Sequence, residues 1–110
     1  HLGDAVYELL VRSYLCSHGK ATGKGLHRAT VELVRAESQS ARAERILPLL
    51  TEEEAAVFRR GRNAHVNSIP HSASRGEYLR ATALESLLGY LYLKGETQRI
   101  NELFCRMMEE

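Results

Sequence analysis

Residues 81–93, ATALESLLGYLYL, carry one charged side chain, Glu85, in a run otherwise made of uncharged and mostly apolar residues. A segment apolar around so much of its circumference predicts a helix packed on several sides. At 100° per residue, Glu85 shares its face with Tyr78, Ala81, Thr82, Gly89 and Tyr92. The small residues at 81, 82 and 89 let another backbone come close, so the carboxylate is expected at a helix–helix contact. An unpaired buried carboxylate costs several kcal/mol, which is large against the ~5–15 kcal/mol that holds a domain folded. Glu85 therefore needs a partner: a buried arginine, a proton or a metal ion.

A second lone acid opens the chain. In HLGDAVYELL, Asp4 heads a largely apolar run. On a helix, His1, Asp4, Glu8 and Arg12 fall along one narrow stripe. Leu2, Ala5, Val6, Leu9, Leu10, Tyr14 and Leu15 occupy most of the remainder, so this helix too is expected to pack on several sides. An acid in a first turn is favoured by the helix dipole alone. Two isolated acids on two buried helices nevertheless strengthen a shared metal-site reading. Carboxylates and water, with no cysteine or histidine cluster, suit a hard cation such as Mg²⁺. Glu8 is better explained as a partner for a neighbouring arginine than as a ligand.

The rest of the chain reads as all-α. Alternating Val, Ile or Thr runs are absent, and there are two prolines in 110 residues. Leu2 to Ser17 is the first predicted helix, stopped by Gly19. KATGKG at 20–25 reads as a basic connector, followed by helices over 26–36 and 38–50, the latter with Pro48 near its end. Thr51 with Glu54 has the form of a capping box and should start a helix through TEEEAAVFRRGR. Residues 63–76 read as a long polar loop. A helix over 77–93, ended by Gly95, and a last amphipathic helix with Ile100, Leu103, Phe104, Met107 and Met108 complete the chain. Cys16 and Cys105 sit in apolar helical patterns and read as core residues in a reducing, cytoplasmic setting. No apolar run approaches the ~20 residues of a membrane span. Formal net charge is +1, so any nucleic-acid surface must be a local patch.

LGDAVYELLVR at 2–12 resembles the signature helix of ribonuclease III endonucleases, and ATALESLLGYLYL resembles the second acidic helix of that family. FRRGRNA at 58–64, following TEEEA, is similar to the compact Mini-III branch, which has the nuclease domain without a double-stranded-RNA-binding domain. The likeness spans residues 1–110 as a single catalytic domain, with a native N-terminal segment expected before His1. It implies the ribonuclease III all-α fold working as a homodimer, in which each subunit supplies Asp4 and Glu85 as catalytic residues and as ligands of Mg²⁺, with Mn²⁺ as a substitute. It implies cleavage of double-stranded RNA to 5′-phosphate products, with precursor 23S ribosomal RNA as the bacterial substrate and a ribosomal protein as a further candidate partner. Position 82 is Thr, where longer family members often have Asp; fewer acids leave more of the coordination to water and RNA phosphate.

Double-stranded RNA is read by shape, through phosphates and 2′-hydroxyls. Arg59, Arg60, Arg62 and Asn63, then His65 and Arg75 in the loop, form the expected RNA-contacting set, and Lys20 and Lys24 are explained equally by a solvated connector. The competing reading of the arginines is a basic helix C-terminus followed by a linker. The alternative function is a non-catalytic RNA-binding or ribosome-associated domain of the same fold, and a third is a helical protein-interaction module. Retention of both acids favours the nuclease, because negative charge facing phosphate helps a binder only when a metal neutralises it.

Overall fold

In the computed structural model, residues 2–19, 23–64 and 74–109 are described. They form helices α1 (Leu2–Ser17), α2 (Gly23–Val34), α3 (Ala36–Ile46), α4 (Glu52–Ala64), α5 (Arg75–Leu93) and α6 (Thr97–Met107), with a 3₁₀ turn at Leu47–Leu49. No strand occurs among the described residues, as the absence of alternating patterns predicted. The tight stops after α1 and α5 use Gly19 at φ 82° and Gly95 at φ 75°, where a side chain would be strained.

Helix α5 is the axis of the molecule: α1, α3, α4 and α6 all pack on it. Its Leu84, Leu87 and Leu88 are completely buried, and around them close Tyr7 and Val11 of α1, Ile46 of α3, Phe58 of α4, and Leu103 and Met107 of α6. The capping box forms as expected: the Thr51 amide donates to Glu54 Oε1 at 2.9 Å, and the Glu54 amide donates to Thr51 Oγ1 at 3.1 Å. Glu54 is 6% exposed, and Arg99 of α6 grips both its oxygens at 2.8 Å while also donating to the Leu49 carbonyl at 2.9 Å. One acid thus starts α4 and pins α6 to it. Beyond α6, Arg42 and Arg45 of α3 both donate to the Met107 carbonyl at 2.9 Å, satisfying a helix end that lacks intrahelical partners.

Several boundaries differ from expectation. Helix α3 ends at Ile46, because Pro48 lacks an amide hydrogen to continue the helix and sits instead inside the 3₁₀ turn that Leu47 begins. Helix α2 starts at Gly23, drawing the end of the presumed connector into its first turn. The polar loop is shorter at both ends: Asn63 and Ala64 extend α4, and Arg75 and Gly76 open α5, leaving 65–73 outside the described residues. Helix α1 is buried through Gly3, Val6, Tyr7, Val11 and Leu15, but Leu2, Ala5 and Leu9 are exposed, Leu9 by 65%. It lies on α5 and α2 and leaves its outer side open. Cys16 and Cys105 are exposed free thiols, not core residues. The buried stripe of α6 is Ile100, Leu103, Phe104 and Met107, and position 105 turns 100° away from it.

Candidate active site

The two acids are brought together by glycine. A Cβ placed on Gly3 would stand 1.7 Å from the Glu85 carbonyl oxygen, and one on Gly89 would stand 3.3 Å from the Gly3 nitrogen. The start of α1 therefore rests directly on the α5 backbone, and the next residue, Asp4, is delivered to the Glu85 side chain. On the neighbouring side of α5, a Cβ on Gly61 would come within 2.4 Å of the Ser86 side chain. The glycine inside RRGRNA is thus a close-packing device that seats α4 against α5 one residue from Glu85.

Asp4 is exposed and Glu85 is partly buried. Burial, followed by hydrogen-bonding contact with the Asp4 carboxyl, pushes the Glu85 carboxyl up to about 8, and the hydrogen bond from Gln39 only partly offsets this. Two carboxyl groups in contact cannot both hold a bare negative charge cheaply; they share a proton or a cation. They line a cleft of about 780 Å³ with Glu8, Arg12, Gln39 and Thr82. Glu8 is paired with Arg12 at 3.1 Å, as its spacing predicted. The Thr82 hydroxyl donates to the Tyr78 carbonyl at 2.9 Å, leaving its lone pairs toward any further donor.

The side of the cleft is held by the break between α2 and α3. Arg35 is extended there, at φ −63° and ψ 149°, and the carbonyls at the end of α2 are taken up by side chains of the site. Tyr7 donates to Leu33 O at 2.9 Å and Gln39 donates to Val34 O at 2.8 Å. Burial holds the Tyr7 phenol up at about 12, so it remains a donor. Gln39 Nε2 also donates to Glu85 Oε2 at 3.1 Å, while Gln39 Oε1 is buried without a protein partner.

This donor set fits a hard divalent cation. Among the described residues no group of three or more His, Cys, Asp and Glu side chains gathers, so Asp4 and Glu85 would be the charged ligands and water would complete the shell, as Mg²⁺ tolerates.

Of the expected RNA-contacting residues, Arg59, Arg60, Arg62 and Asn63 are exposed on the last two turns of α4, and Arg75 is exposed at the start of α5. Arg62 and Arg75 meet in a second cavity of about 410 Å³ with Phe58 and Arg80. Arg80 is held there by Glu44 at 2.8 Å and Ser40 at 2.7 Å. The ten-residue rise from Arg75 to Glu85 sets this basic rim about 15 Å along α5 from the carboxylates. His65 lies outside the described residues, as does Lys20. The sequence reading overlooked Gln39, Tyr7, Gly3 and Gly61. Gln39 alone left a usable signal: a polar residue on the helical phase of buried Ala43 and Ile46.

Residues 1–96 match the family model described as the Ribonuclease III domain. The chain belongs to the ribonuclease III family. Its relatives carry a more particular name. It is 44% identical over 103 residues to the Mini-ribonuclease 3 of Symbiobacterium thermophilum, covering 94% of this chain and 79% of that one. It is 42% identical over 104 residues to the Mini-ribonuclease 3 of Clostridium tetani, covering 94% and 69%. A crystal structure of a protein from Fusobacterium nucleatum superimposes with a TM-score of 0.81 at 32% identity, covering 93% of this chain and 81% of that one.

Proposed function

We propose that this protein is a Mg²⁺-dependent endoribonuclease that cuts double-stranded RNA, with Asp4 and Glu85 as the catalytic, metal-holding pair. The observation that carries the reading is the contact between those two carboxyl groups at the glycine crossing of α1 and α5, at the mouth of a cleft. When bound, the cation would activate a water for in-line attack on a phosphodiester and stabilise the leaving 3′-oxygen. The chain's own residues do the rest. Gly3 and Gly89 set the two acids at one point, Gln39 orients Glu85, and Arg12, held by Glu8, places a positive charge at the cleft beside them. Arg59, Arg60, Arg62, Asn63 and Arg75 would grip phosphates and 2′-hydroxyls away from the cut; His65 belongs to the same proposed set.

Apolar side chains beside the acids support a homodimer. Leu2 and Leu93 line a hollow with Asp4 and Glu85, and Leu93 is 77% exposed. A two-fold partner would cover that patch and present a second carboxylate pair to the opposite strand. Kinship with proteins named Mini-ribonuclease 3 supports precursor 23S ribosomal RNA as the substrate, with Mn²⁺ as a working substitute for Mg²⁺ and a ribosomal protein as a further partner. Among the described residues no helix is long and apolar enough to cross a membrane, and a cytoplasmic site of action belongs to the same reading.

A cleavage assay on double-stranded RNA tests it. Staggered cutting is expected with Mg²⁺ and not with EDTA, and Glu85→Gln should lower the rate by at least about 100-fold while RNA binding persists. Folded dimeric protein that binds the RNA and leaves it intact with every divalent metal would establish a binding domain instead.

A further inference from the structure

Gln39 is 4% exposed. Its amide nitrogen is fully committed, to Val34 O at 2.8 Å and Glu85 Oε2 at 3.1 Å. Turning the amide over would set its oxygen against a carbonyl and a carboxylate, two acceptors, so these neighbours decide the orientation. Its oxygen is therefore left one amide width from the atom that touches Glu85, buried and without a protein donor. Buried acceptors of this kind are rare in folded proteins and ask for an explanation. Gln39 lines the same cleft as Asp4 and Glu85. With only two charged ligands, a hard cation would keep several waters, each with hydrogens to donate.

Resting on the cation-site reading above, we propose that Gln39 is a positioning residue of that site: its Nε2 aims the Glu85 carboxylate, and its Oε1 accepts a hydrogen from a water of the cation's hydration shell. The break at Arg35 is what makes this available. Because α2 stops there, Val34 offers a free carbonyl that fixes the amide from behind. The arrangement is of the outer-shell kind, whose loss typically weakens metal binding 10–100-fold.

The test is calorimetric titration of Mn²⁺ into the full chain without RNA, comparing wild type, Gln39→Met and Glu85→Gln. Gln39→Met keeps length and volume while removing both polar atoms, and a folded variant is expected to bind Mn²⁺ about 10–100-fold more weakly. A purely structural capping role predicts the opposite pattern, a lowered thermal midpoint in EDTA with unchanged Mn²⁺ affinity, and that result overturns the proposal. Should Gln39→Met not fold, Gln39→Asn carries the same expectation, because the shorter amide cannot span Val34 and Glu85 together. Glu85→Gln separates the two levels. If it binds Mn²⁺ like wild type, or if wild type binds none, the cation site itself is refuted; if it loses Mn²⁺ while Gln39→Met keeps it, only the role of Gln39 is.

Discussion

A methyl group at residue 3 has nowhere to go. With the Glu85 carbonyl oxygen 1.7 Å from the Cβ position, Gly3→Ala must lift α1 off α5, and backbone cannot yield as a flexible side chain does. The expected loss is about 1–3 kcal/mol of stability, the usual cost of overpacking, read as a drop in thermal midpoint. Because the same shift draws Asp4 away from Glu85, the variant should also lose RNA cleavage while remaining helical. Alanine at the exposed, helical Gly76, where nothing lies within 4 Å of the Cβ position, serves as the control and should lower neither. Asp4, Glu85 and Gly89 were all legible in the sequence as a pair of odd charges and a small residue on one face. Gly3 was not singled out, because a glycine beside an acid looks the same whether it faces a helix backbone or water.

At the scale of the element, α4 shows local and tertiary signals agreeing. Thr51 and Glu54 close the capping box that their spacing predicts, and Arg99 then converts the same carboxylate into the link to α6. The hydrogen bonds from Arg99, first among the causes, hold the Glu54 carboxyl below its ordinary value against the opposing effect of burial. A group depressed in the folded state stabilises above its unfolded pKa of about 4.3, and that stability drains away as pH falls through the lower folded value. The thermal midpoint of wild type should therefore fall on acidification from pH 5 toward pH 3, and Glu54→Gln should flatten part of that limb while starting from a lower midpoint at pH 7. An equally steep limb in the variant would assign the acid sensitivity to other carboxylates. Element ends were less legible than element centres. Asn63, Ala64, Arg75 and Gly76 read as loop by composition, yet packing on the central helix carries α4 and α5 through them.

For the whole molecule, the exposed apolar patch around Leu2 and Leu93 is the feature that the single chain leaves unfinished. Leu93→Glu would place a charge where the proposed partner must exclude water. Dimer dissociation should rise about tenfold or more, equivalent to at least ~1.4 kcal/mol, as read by sedimentation, with helical content unchanged. Paired cuts on opposite strands should give way to single-strand nicks or to no cutting. A variant that stays dimeric at the same concentration would move the interface elsewhere. Exposure on α1 also corrects the view of that helix as packed on several sides: Leu2 and Leu9 satisfy the helical pattern of a core but face outward in one chain.

The sequence alone determined the all-α class and the order of the six helices, because these follow from hydrophobic period and capping residues, and it singled out Asp4 and Glu85 as isolated charges in apolar runs. It also carried the family, through short motifs at matching intervals. Only the tertiary structure decided that Gly3 meets Glu85, that Gly61 meets Ser86, that the two cysteines face solvent and that Gln39 stands beside the carboxylates with an unpaired oxygen. Those facts depend on which side of each helix meets α5 and at what distance. A one-dimensional pattern records the period of a helix but not the rotation and approach of the partner that it packs against.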